Sequence, residues 1–328
     1  MKPRRLFAYG AIALGVLALL GLSSFVVTKA RAVASELTDP PFYHPPSLER
    51  VNQTYAELAR GGGSDSGGTW HAEEVDGLQL WIFKRPVSTT GLVLMLHGFG
   101  DDRWGTSPAL RGFPNQDAAI FTYLRRDDAL RAGSREPYIT FGDRESDNVV
   151  RVVKHLEAQG TPRHRILLMG RSLGASVGLL ALAKLEAQGG PLGGLIWEGA
   201  PASSRDFAER LVRGPKDAFW HPALAPLIGD LASRWAARRG HYDRNRTDLL
   251  RAVAGQRFKT PSLCFLATQD RLAPPPVQRA VAAHFDHIEI IEVPTWHLHC
   301  AEVLGTDYQK AMDRSVAAWL KPESEPSN

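Results

Sequence analysis

Residues 165–179, RILLMGRSLGASVGL, constrain the fold of this chain more than any other stretch. Ile166, Leu167, Leu168 and Met169 form an apolar run with the length of a buried strand. The Ala/Leu-rich run beyond Gly174 reads as a helix to about Lys184. Gly170-Arg171-Ser172-Leu173-Gly174 joins the two. In that context the glycines permit a tight turn and close neighbours, so Ser172 is held on a strained elbow with its hydroxyl exposed. A bare Gly-x-Ser-x-Gly match marks an ordinary turn. Here both flanks fit, and the serine reads as a nucleophile.

A serine hydroxyl is a poor nucleophile until a base takes its proton, and the base works best when a third group orients it. Asp270 follows a predicted strand in LATQDRL, and His297 follows the last one in PTWH. Ser172, Asp270 and His297 thus stand in the order serine, acid, histidine. Each lies just past the carboxyl end of a predicted parallel strand, where the sites of open α/β sheets gather. Asp270 has a rival role as a helix cap, but its place after a strand and 27 residues before His297 favours the site. His299 is the alternative base, because residues two apart on an extended chain point to the same side. His297 is preferred as the one nearer the strand end. A metal site built on His297-Leu298-His299-Cys300 lacks a clear fourth ligand and would leave the three residues unexplained, and the serine mechanism requires neither a metal nor an organic cofactor.

The remaining pattern supplies the frame. Residues 69–75 and 78–84 read as strands joined by the hairpin turn Asp76-Gly77. Apolar residues 92–96 form a buried strand leading into His97-Gly98-Phe99-Gly100, where Asp101 and Asp102 read as loop braces. Further strands are expected at 118–123, 195–198, 262–267 and 288–293, with helices at 145–159, 274–285 and 307–320. This alternation predicts a mostly parallel sheet covered by helices on both faces, an α/β fold. Residues 203–257 break the alternation. They are helical, and from 205 to 259 they carry twelve Lys/Arg against six Asp/Glu. An insertion after a strand's carboxyl end is well placed to cover a site. The segment therefore reads as a cap favouring acidic or membrane-borne ligands, or as a solvated helical decoration.

Residues 6–27 carry no charge and, as a helix, reach roughly 30 Å, enough to cross a bilayer. Lys2, Arg4 and Arg5 precede this run, while Lys29 and Arg31 follow it. The balance favours a cytoplasmic amino terminus and an extracytoplasmic domain. A cleaved signal peptide is the competitor, with Ala32-Val33-Ala34 as its cleavage site and Arg4-Arg5 as a twin-arginine signal. The length of the run fits an uncleaved anchor better, and either way the domain is exported. The expected layout is a tail and anchor at 1–34, then a proline stalk, short helix and Gly-rich linker at 35–69, then a catalytic domain at 70–328. A net charge of +4 without a basic run interleaved with aromatics gives no reason to expect a nucleic-acid partner. Cys264 and Cys300, the only cysteines, make no disulfide framework; they read as two buried thiols, with a single bridge as the alternative.

From about residue 70 to 320 the chain resembles α/β-hydrolases of the bacterial esterase/lipase-like and serine-peptidase-like group. The residues carrying the resemblance are His97-Gly98-Phe99-Gly100, Gly170-Arg171-Ser172-Leu173-Gly174, the Asp270 loop and His297. The resemblance implies an α/β-hydrolase fold with a helical cap, and an oxyanion hole from the backbone N–H groups of Phe99 and Leu173. Similar hydrolases also carry a tyrosine about eleven residues after the catalytic histidine, where Tyr308 stands. The chain departs from their Gly-rich approach to that histidine, having Thr295-Trp296. The expected function is a serine hydrolase cleaving a small-molecule or lipid-like carboxylic ester through an acyl-enzyme. The same triad would serve an amidase, peptidase or acyltransferase. A non-catalytic, membrane-tethered binding module is the reading from another class, and it would be expected to have lost one of the three residues.

Overall fold

The structure, a computed structural model, describes residues 3–39, 69–86, 89–101, 106, 109, 112–123, 138–213 and 221–320. The predicted short helix at 47–60, the Gly-rich linker at 61–68 and Asp102 lie outside the described residues.

Eight strands form one sheet: β1 (Thr69–Val75), β2 (Leu78–Lys84), β3 (Leu92–Leu96), β4 (Asp117–Phe121), β5 (Ile166–Arg171), β6 (Gly194–Glu198), β7 (Ser262–Ala267) and β8 (Ile288–Val293). Their spatial order is β1-β2-β4-β3-β5-β6-β7-β8. The β1–β2 and β2–β4 pairs are antiparallel, and the other pairs are parallel. The strands alternate between two cores. Leu92, Leu94 and Leu96 of β3 face one, while Val93 and Met95 face the other. This is the two-residue period of a pleated strand, and both sides are apolar because helices cover both faces. Strand β4 ends at Phe121, short of the predicted Tyr123, because the Tyr123 N–H donates to His97 Nε2 (3.2 Å) instead of to a neighbouring strand. On the open edge, β8 carries Glu289 and Glu292, charges that discourage pairing with another chain.

The helices are α1 (Pro3–Thr38), α2 (Asp143–Ala158), α3 (Leu173–Gly189), α4 (Ser204–Arg213), α5 (His221–Gly240), α6 (Leu249–Val253), α7 (Pro275–Ala282), α8 (Cys300–Leu304) and α9 (Thr306–Trp319). Helix α8 has no counterpart in the sequence pattern, and α3 outruns its predicted end near Lys184. Within the basic excursion, α4 and α5 pack on each other, whereas α6 packs against α3 and belongs to the crossover into β7.

Helix α1 differs most from expectation. It stays helical through Thr38, although a proline stalk was expected from residue 35. Val26, Ala30, Val33, Ala34 and Leu37 are buried. Their offsets of 4, 7, 8 and 11 residues make one stripe of a helix, and α1 docks on α5 and α4 with its carboxyl-terminal half. Residues 13–24 are exposed, among them Leu14, Leu17, Leu19 and Leu20. By length and composition this helix is long and apolar enough to cross a membrane.

Candidate active site

Strand β5 delivers the chain to Ser172, which sits between strand and helix at φ 52° and ψ −126°. A non-glycine residue at positive φ is strained, and such strain collects at functional sites. The turn holds because Gly174 passes close to β3: a Cβ there would stand 2.2 Å from the Leu96 carbonyl oxygen. Ser172 N–H donates to the Glu198 carbonyl (2.9 Å), tying the elbow to the end of β6.

The structure brings Ser172, His297 and Asp270 together. His297 Nε2 is 3.0 Å from Ser172 Oγ, and His297 Nδ1 is 2.7 Å from Asp270 Oδ2. Asp270 is buried, and its other oxygen accepts from the Leu272 and Ala273 amides, each at 2.8 Å. The carboxylate is therefore an acceptor at both oxygens. Nδ1 of a neutral His297 carries the proton towards Asp270, and Nε2 is left to accept from the Ser172 hydroxyl.

His299 is placed elsewhere. Leu298 adopts φ 63°, so the chain is not extended between the two histidines and they do not share a side. His299 instead turns to the surface, where Nδ1 meets Glu302 Oε2 at 2.7 Å. Among the described residues no group of three His, Cys, Asp or Glu is arranged to hold a metal ion. Cys264 and Cys300 are free and buried. Burial, reinforced by the Glu198 charge, pushes both thiols well above their ordinary range.

The residues of the expected oxyanion hole lie on either side of Ser172. Leu173 is the first residue of α3, so its N–H has no acceptor within the helix. Phe99 follows Gly98, whose backbone passes so close that a Cβ on it would touch the Ser172 Cβ at 3.6 Å. His97 steadies this loop from beneath. Because its Nε2 accepts from Tyr123 N–H, its Nδ1 donates to the Gly98 carbonyl at 3.0 Å. The Phe99 ring packs with Phe141 (5.6 Å) and Phe207 (5.3 Å).

Glu198 is a site residue that the sequence reading missed. It ends β6 and is 1% exposed. Its Oε2 accepts from Arg171 Nε (3.1 Å) and from the Tyr308 hydroxyl (3.4 Å), and its Oε1 from the Cys300 amide (3.1 Å). Arg171 also donates from Nη2 to the Leu298 carbonyl at 2.6 Å. One carboxylate thus fastens the serine elbow to the histidine loop and to α9. A signal was present: a glutamate closing an apolar five-residue strand, GLIWE, must find partners inside. Tyr308 is stacked on Phe265 (4.0 Å), and burial followed by the Glu198 charge raises its hydroxyl pKa.

Ser172 and His297 open onto a cavity of about 730 Å³. Its walls include Met95, Phe99 and Met169, with Phe207 and Leu211 contributed by α4. Glu36 of α1 also lines it, so the amino-terminal helix forms part of the site.

No family model and no curated protein matches the sequence. Solved structures do match the fold. An esterase of Pyrococcus furiosus superposes with a TM-score of 0.56 at 16% identity, over 77% of this chain and 91% of that one. An esterase from the bacterial hormone-sensitive lipase family gives 0.53 at 18% identity, over 91% and 97%. With the strand order above, these likenesses define the class: the chain has an α/β-hydrolase fold. At such identities they speak for the fold alone.

Proposed function

We propose that this chain is a membrane-anchored serine hydrolase that cleaves a carboxylic ester. The observation carrying the proposal is the continuous hydrogen-bonded line from Ser172 through His297 to Asp270 at the floor of a largely apolar cavity. Ser172 Oγ attacks the acyl carbon as His297 Nε2 takes its proton. Asp270 holds the imidazole in the required tautomer and stabilises the imidazolium. The Phe99 and Leu173 amides receive the oxyanion. His297 then protonates the leaving alcohol, and water, activated the same way, releases the acyl group. The apolar walls favour an acyl chain over a charged one, and the esterase names of the structural neighbours accord with that choice.

The anchor reading gains support from the packing of α1. Cleavage after Ala34 would remove Val26, Ala30, Val33 and Ala34, four of the five residues in its buried stripe. Positive charge before the apolar run orients the catalytic domain outside the cytoplasm.

The test is labelling of the full chain, purified in detergent, with a fluorophosphonate probe, followed by peptide mapping. The adduct is expected on Ser172, lost in His297→Ala and kept in His299→Ala. Labelling that persists without His297, or maps to another serine, would overturn the mechanism.

A further inference from the structure

Most arginines of the basic excursion already have partners. Asp206 takes Arg210 (2.8 Å), Glu209 takes Arg213, and Asp230 takes Arg234 and Arg244. Arg246 pairs with Asp143 at 3.0 Å. Arg238 and Arg239 differ: among the described residues no carboxylate pairs with either, nor with Arg31 on α1. These three converge. A groove of about 570 Å³ runs between the two helices, lined by Arg31, Ala34 and Ser35 from α1 and by Trp235, Arg238 and Arg239 from α5. Each helix contributes positions i, i+3 and i+4, the spacing of a single face.

The groove is shaped to receive an anion. Arg31 lies over the Trp235 ring (5.6 Å) and Arg239 over the Tyr138 ring (4.7 Å), so two guanidiniums are held by their faces. Arg239 Nη1 donates to Ser35 Oγ at 2.9 Å. A guanidinium has five N–H donors, so most edges remain open, and their forked geometry matches phosphate oxygens. Three cations gathered in a groove whose lining holds no carboxylate repel one another until an anion joins them.

Depth selects the source of that anion. Arg31 stands four residues beyond Val27, the end of the uncharged run. At 1.5 Å per residue that is about 6 Å, the thickness of a headgroup layer on one side of a bilayer. Ser35 is about 12 Å beyond the same point, on the water side of that layer, so the groove spans its outer boundary. A basic pocket at this level lies beside the lipid headgroups, where forked guanidinium donors meet phosphate oxygens.

We propose that the groove between α1 and α5 binds the phosphate headgroup of an anionic membrane lipid. The proposal rests on reading α1 as a membrane helix and is independent of the chemistry at Ser172. The experiment follows thermal unfolding of the full chain in uncharged detergent micelles, with phosphatidylglycerol, phosphatidylcholine of the same acyl chains, or inorganic phosphate added. Phosphatidylglycerol at a hundredfold excess over its dissociation constant should raise the unfolding temperature by roughly 5–10 °C. Phosphatidylcholine and inorganic phosphate should not. The shift should shrink in Arg238→Gln, whose exposed side chain has no carboxylate partner among the described residues, and vanish in the Arg31→Gln/Arg238→Gln double variant. Equal shifts in wild type and double variant would overturn the site. A full shift from inorganic phosphate alone would overturn the lipid as its occupant. Flotation of the chain with phosphatidylcholine vesicles separates the two layers of the argument: without co-flotation the membrane reading fails and the lipid site with it. Co-flotation with no phosphatidylglycerol shift removes the site alone. Fluorophosphonate labelling of Ser172 should be unchanged in both variants.

Discussion

Gly199→Ala tests the site at the point where its geometry is tightest. Gly199 follows β6 at φ 65°, and a Cβ there would stand 2.9 Å from His297 Cε1, 3.0 Å from Nδ1 and 3.3 Å from Asp270 Oδ2. Ordinary carbon–carbon contact lies at ~3.5–4.0 Å, so the imidazole must withdraw by roughly 0.6–1.1 Å. Its bond to Ser172 starts at 3.0 Å, and a hydrogen bond is lost by about 3.6 Å. The methyl group therefore wedges open the line proposed to activate the serine. General-base work contributes ~10²–10⁴-fold, and a loss of that order in kcat/KM is expected. The left-handed backbone adds about 1–2 kcal/mol of destabilisation, a drop of a few degrees that leaves the chain folded at 25 °C. Gly255→Ala is the control, since Gly255 has φ 73° with nothing within 4 Å of a Cβ. It should carry the backbone cost and no catalytic loss. The assay is the rate of fluorophosphonate labelling and ester turnover, each beside a thermal unfolding curve. If Gly199→Ala labels at the wild-type rate, the imidazole does not sit against Gly199 and the proposed line is wrong.

Three further outcomes follow from the same structure. Glu198→Gln removes the charge facing Arg171 while keeping a similar shape, so kcat should fall about tenfold with KM little changed, and the unfolding temperature should drop by several degrees; an unchanged kcat would reduce Glu198 to packing. Cys264 and Cys300, their thiols pushed up by burial, should resist a maleimide at pH 8 in the native chain and react with it only on unfolding; native labelling would contradict their burial. Burial opposes the Glu73 charge, but Glu73 accepts from His155 of α2, from Gln159 just past that helix and from His71, and these bonds hold its carboxyl below the ordinary value. A depressed carboxylate stabilises above its unfolded pKa and loses that effect as pH falls through the folded one. Wild type should thus lose more stability than Glu73→Gln between about pH 5 and 3, and parallel profiles would refute the coupling.

The features legible in the sequence are those whose signal is local. Strands β7 and β8 fall on the predicted residues, as does the Asp76-Gly77 hairpin, because short apolar runs bounded by turn residues define them without help from elsewhere. Relations between distant segments were less visible. Alternation put His297 and His299 on one side, and a single residue, Leu298 at φ 63°, reverses that. Prolines at 40, 41, 45 and 46 suggested a stalk from residue 35, but the helix persists to Thr38 because its buried stripe has a partner in α5. Glu198 was hidden for the same reason. Its partners Arg171, Cys300 and Tyr308 lie 27, 102 and 110 residues away.

The docking of α1 also bears on how the site is built. Ser172, His297 and Asp270 come from strand ends, yet Glu36 closes one side of their cavity, and it is carried by the helix whose other half is apolar and exposed. Leu37, next to it, is fully buried. Leu37→Ala should cost ~2–5 kcal/mol if the docking is as tight as its burial implies, lowering the unfolding temperature by about 4–20 °C. Loosening α1 would also move Glu36, so turnover of a bulky ester should change more than that of an acetyl ester, which needs little of the cavity. An unfolding temperature equal to wild type would mean that α1 stands free of the domain. The intact mass of the purified chain provides an independent check. Retention of residues 1–34 is expected, because a chain beginning at Ser35 would keep only Leu37 of the buried stripe and leave the facing surfaces of α4 and α5 open to water.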